Sequence, residues 1–87
     1  MSFISCFFDG HKWVEDKIDP IVLNDHNIMN VGDGLVNYLF EFMGELNVCS
    51  VCEKKQYLAR FLDFEGCDHI QFIDEKYYLK INRKLEQ

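Results

Sequence analysis

Cys49-Ser50-Val51-Cys52-Glu53-Lys54-Lys55-Gln56 places two thiols at C-x2-C spacing, then polar residues, then the alternating run Gln56 to Phe64. Two thiolates so spaced close on one metal ion when the backbone between them folds as a tight knuckle, each sulfur about 2.3 Å from a zinc. The redox reading of the same motif needs a thioredoxin-like βαβ setting with a reactive Cys at a helix start, and the flanking residues do not have that pattern. The stretch therefore reads as half of a metal site.

A tetrahedral site needs two more donors. Cys6 and His11 stand at C-x4-H spacing about Asp9-Gly10, a turn signal that can aim both side chains to one side. A rival pair is Cys67-Asp68-His69 after Gly66, although C-x-H is tighter than ordinary zinc spacing. The expected ligands are Cys6, His11, Cys49 and Cys52, and the expected ion is Zn2+. On this reading Cys67 is a buried free thiol, His69 is a surface residue at a strand start, and His26 belongs to a polar loop. Trp13, two residues after His11, is expected to cover one side of the site.

Working outward, the N-terminal SFISCFF is apolar and β-prone, and a second strand is expected after the Asp9-Gly10 turn. Beyond a short strand at Ile21 to Leu23, the Asn-, Asp- and Gly-rich stretch up to Gly34 reads as a connecting loop. Residues 35–48 are ambiguous: Leu35, Leu39, Phe42 and Leu46 fit a helical stripe, whereas Tyr38, Phe40 and Phe42 alternate like a strand. Gly44 and the aromatic content favour the strand. After the knuckle, Tyr57, Ala59 and Phe61 alternate with Leu58, Arg60 and Leu62, and a hairpin is expected about Asp74-Glu75. That hairpin would send the adjacent Tyr77 and Tyr78 to opposite faces, one of them exposed as an interface residue. Tyr38, Phe40, Phe42, Tyr57, Phe61 and Phe64 read as core.

The combination of a short apolar strand, Cys6, Phe7, Gly10-His11-Lys12-Trp13 and the later Cys49/Cys52 knuckle resembles small zinc-ribbon-like proteins encoded by bacteriophages and prophages. The resemblance covers the first thirteen residues and about Val48 to Leu58. It implies a mainly β, zinc-stabilised fold: a zinc-ribbon-like antiparallel sheet with a long insertion and room for one short helix, residues 1–87 forming a single domain. Two departures stand out. Glu53 replaces the Gly usual after the second knuckle Cys, and the spacer between half-sites is long.

Composition narrows the function. At 87 residues with 48% apolar content, the chain can build one core but only with modest net stability, so a metal fastening is apt. Its net charge is −6, and the acidity is N-terminal: eight acidic and two basic residues precede Cys49, and seven of each follow. Such a field opposes phosphate backbones, so nucleic acid is disfavoured and a protein partner expected. The runner-up is a nucleic-acid-associated ribbon using Lys54, Lys55, Arg60 and the basic C-terminal residues. An enzyme is not expected, since three thiolates close a structural site and no H-E-x-x-H, G-x-S-x-G or phosphate loop occurs. The start MSFISCFFDGHK lacks a basic n-region and a long apolar stretch, and no apolar run nears the roughly 20 residues of a membrane span. The expected setting is the cytoplasm of a host cell, where thiols stay reduced.

Overall fold

A computed structural model describes residues 10–23, 29–33 and 35–85. Its centre is one long strand. We label the elements β1 (Trp13–Lys17), β2 (Ile21–Val22), β3 (Met29–Asp33), β4 (Val36–Cys49), β5 (Lys55–Leu62), β6 (Asp68–Asp74) and α1 (Glu75–Leu85). The expectation of a mainly β antiparallel sheet with one short helix holds among these residues, and all pairings are antiparallel. On one side β4 pairs with β5, which pairs with β6. On its other side β1, β2 and β3 lie end to end: Trp13 opposite Cys49, Ile21 opposite Phe42, Met29 opposite Leu39. The long spacer between the two half-sites is thus spent largely on edging β4.

Residues 35–48 resolve as strand, but an irregular one. The register with β5 shifts between Leu39 and Glu41 and again between Phe42 and Leu46. At the second shift Gly44 adopts φ +92, its carbonyl accepts the Ile18 N–H at 3.0 Å, and an added Cβ would lie 3.2 Å from Ile18 O and Pro20 Cγ. Only glycine fits that backbone and that close approach.

Leu39, Phe42 and Leu46 from β4, Tyr57, Ala59 and Phe61 from β5, and Ile73 from β6 form the core with Tyr77 and Ile81 of α1. Alternation along β5 is as expected: Tyr57, Ala59 and Phe61 are buried and Arg60 is exposed. Tyr38 and Phe64, read as core, are exposed.

Two expectations are corrected. The segment after Leu23 is not all loop, since Met29–Asp33 pairs with β4. The hairpin at Asp74-Glu75 does not form: Asp74 Oδ1 accepts the Lys76 N–H at 2.9 Å, an N-cap, and Glu75–Leu85 is helical. Glu75 in the first turn and Arg83 and Lys84 in the last complement the helix dipole, and Tyr77 and Ile81, one turn apart, enter the core together. Tyr77 and Tyr78 consequently do not split across a strand. Tyr77 is buried, and Tyr78 stacks on Tyr57 at 4.1 Å with an edge contact to Phe42 at 5.2 Å, so neither is an exposed interface residue. The strand read at SFISCFF, the Asp9 half of its turn, and His26 lie outside the described residues.

Candidate metal centre

The β4–β5 connection builds the site. The Glu53 N–H donates to the Cys49 carbonyl at 2.9 Å and the Cys49 N–H to the Lys54 carbonyl at 2.8 Å, closing residues 49–54 into a tight turn. Glu53 takes φ +64 there, the left-handed conformation for which a glycine is usual. The knuckle forms despite the departure, with the strain carried by Glu53. A second tie, Ser50 N–H to the Lys12 carbonyl at 3.0 Å, holds the residues before β1 against the turn and brings His11 beside it.

His11, Cys49 and Cys52 converge as a result, their donor atoms all within 4.8 Å of one another. Cys52 Sγ lies 3.4 Å from His11 Nδ1. Ligands bound tetrahedrally at about 2.1 to 2.3 Å stand roughly 3.5 to 3.8 Å apart, so small side-chain adjustments bring these donors onto one ion. Cys49 is buried, and Cys52 and His11 are half-buried.

The electrostatics suit a cation. Burial pushes the Cys49 thiol up, but hydrogen bonds from the backbone N–H groups of Cys52 and Val51, from the His11 ring and from the Lys12 backbone outweigh it, taking the pKa from 9.0 down to about 5. Cys49 is therefore a thiolate at neutral pH, the form that ligates metal. Two sulfurs and an imidazole make a donor set for borderline-soft ions. Trp13 flanks the site, its ring centroid 4.8 Å from that of His11 at a 36° tilt, and remains 36% exposed.

Of the four expected ligands, the structure gathers His11, Cys49 and Cys52, and Cys6 lies outside the described residues. The rival pair does not join them. Cys67 is exposed and not buried as expected, because it sits in the β5–β6 turn. His69 is half-buried and not a plain surface residue: Nε2 is 2.7 Å from Asp63 Oδ2, and its ring stacks on Phe61 at 5.2 Å. Asp63, to which the sequence pattern by itself gives no role, organises this turn. Its Oδ1 accepts the N–H groups of Glu65 and Cys67, each at 2.9 Å, and chiefly the His69 hydrogen bond holds its carboxyl below the usual 3.8. The DFEGC spacing, an Asp two residues before Glu and three before Gly, was the available signal.

Fold and site together define a class: a small antiparallel β-sheet protein with a Cys2His group able to hold a metal ion. The chain matches no protein-family model, no curated protein and no solved structure. Among the described residues no helix is long and apolar enough to cross a membrane.

Proposed function

We propose that this is a small structural-zinc protein of phage or prophage type, its ion held by Cys6, His11, Cys49 and Cys52, which binds and modulates a host or phage protein in the cytoplasm. The observation that carries the zinc reading is the approach of His11 and Cys52, 41 residues apart in sequence, to 3.4 Å. A contact of that sequence separation between an imidazole and a thiol is what a zinc ion fastens in a small fold. Cys6 completes four protein ligands, which leaves no open position for water and makes the ion a fastener and not a catalyst.

Charge supports a protein partner. Of the basic residues that nucleic acid would use, Lys54 Nζ is 3.7 Å from Asp74, and Arg60 is 3.3 Å from Asp68 and 3.9 Å from Glu41. Such exposed pairs add little stability, but they offset the positive field that a phosphate would meet.

Two measurements test the reading. Metal analysis after dialysis is expected to find one zinc per chain in the wild type and in Cys67→Ser, and none in Cys52→Ser. Retained zinc in the Cys52 variant would overturn the ligand assignment. A gel-shift titration at low and physiological salt is expected to find no tight duplex DNA or RNA binding. Tight binding that collapses on raising salt would instead establish the nucleic-acid-associated ribbon.

A further inference from the structure

Strand β6 ends the sheet on the side away from β1, β2 and β3, and among the described residues nothing pairs with its outer edge. Its seven residues keep unbroken register with β5, from Gln56 opposite Asp74 to Leu62 opposite Asp68. The strand has no proline, no lysine or arginine and no bulge, the devices by which edges are ordinarily kept from pairing. Ile70 is 59% exposed and Gln71 is exposed as well. The complement of such an edge is another extended backbone.

We propose that the β6 edge pairs antiparallel with β6 of a second copy, about a two-fold axis at Gln71, joining two sheets into one. The sequence is self-complementary in that register. Ile70 faces Phe72 of the other copy, and Phe72 faces its Ile70, so the face opposite α1 continues as an apolar surface across the seam. Asp68 faces Asp74 of the other copy, a pair that would repel if bare. Each carboxylate brings its own cation: Arg60 Nε donates to Asp68 at 3.3 Å and Lys54 stands 3.7 Å from Asp74. Either end of the seam then holds two anions and two cations. Neighbouring registers lose this match. An axis at Ile70 sets Phe72 against Asp68, and an axis at Phe72 sets Ile70 against Asp74, an apolar side chain against a carboxylate in both. A seven-residue edge lies at the small end of specific interfaces, so the dimer is concentration-dependent. This inference does not rest on the zinc reading, and zinc content is measured on the same samples to keep the two apart.

Sedimentation of the full zinc-loaded chain over a concentration series is expected to show the mass doubling from 10.4 kDa. Ile70→Lys alters an already exposed side chain, and this variant is expected to keep its circular dichroism and zinc but remain at the single-chain mass. Gln71→Cys in a Cys67→Ser background is expected to form an intermolecular disulfide on mild oxidation, because the two positions coincide at the axis. A wild-type chain that stays monomeric throughout, a dimer that survives Ile70→Lys, or a dimer whose Gln71→Cys form does not cross-link would overturn the proposal.

Discussion

Two turns in this molecule each connect antiparallel strands, contain a cysteine and hold one residue in left-handed backbone, yet they are organised by opposite chemistry. In the β4–β5 turn the backbone N–H groups of Cys52 and Val51 converge on a sulfur, that of Cys49. In the β5–β6 turn the N–H groups of Glu65 and Cys67 converge on a carboxylate, that of Asp63, which also meets His69. A carboxylate is a strong acceptor and, with the imidazole beside it, leaves that turn satisfied by its own residues. A thiolate beside a second thiol and an imidazole is instead a donor set able to hold a cation. Cysteine in a turn is therefore no signal by itself. What receives the turn's N–H groups, a sulfur in one and a carboxylate in the other, is what sets the two apart.

The largest effect expected from this contrast is metal removal. Structural zinc contributes on the order of 10 to 16 kcal/mol in finger peptides, more than the net stability of a core this small. Excess chelator should therefore unfold the protein, with amides of the β4–β5 turn losing exchange protection before those of the β5–β6 turn. A circular dichroism melt unchanged by chelator would show that the knuckle stands alone and the contrast is wrong.

The left-handed residues give a smaller pair of effects with opposite signs. Gly66 has φ +83 and nothing within 4 Å of an added Cβ, so Gly66→Ala meets backbone strain alone and should cost about 1 to 2 kcal/mol. Glu53 already bears that strain at φ +64, and Glu53→Gly should relieve it, stabilising by about 0.5 to 1 kcal/mol once the extra chain entropy of glycine is subtracted. Urea titration of both zinc-loaded variants measures the difference. Equal signs would mean that the two backbones are not equivalent.

A pH dependence separates the turns as well. The Cys49 pKa is depressed from 9.0 to about 5 on folding, so its thiolate adds stability that is full above pH 9 and is lost as pH falls toward 5. Asp63 is depressed below 3.8, so its contribution is full above that value and lost only in stronger acid. In chelator, the structure that remains by circular dichroism should thus increase from pH 6 to pH 9, and Asp63→Asn should leave that slope unchanged. A flat profile would show that the N–H groups do not hold the sulfur.

How much of this was legible beforehand differs by element. Strand β5 could be read directly, because it is regular and its inward residues fall at every second position. β4 is legible as a strand through Gly44 and its aromatic content but not through its period, and its bulges are the reason. Its buried side chains beyond glycine, Val36, Leu39, Phe42, Leu46 and Cys49, are spaced three, three, four and three apart, the spacing of a helix face; the period of two survives only at Phe42, Gly44 and Leu46, where the middle residue has no side chain to show it. The apparent helical stripe was the trace of an irregular strand. In α1 the local signal misleads: Asp74 can serve equally in a turn or as an N-cap, and only the open core beside β5, filled by Tyr77 and Ile81, selects the helix over the expected hairpin.

By itself the sequence determined the donor types, the C-x2-C spacing that makes a knuckle, the acidic N-terminal half and the β character of the chain, because each depends on residues close together along the backbone. Tertiary structure alone decided which of the candidate donors meet. The antiparallel register that sets Trp13 opposite Cys49, with the Lys12 carbonyl bound to Ser50, carries His11 to Cys52, while the turn at Asp63 keeps His69 for its own carboxylate. Strand register is a sum of many small pairing and packing terms over the whole sheet, and no local stretch of sequence contains that sum.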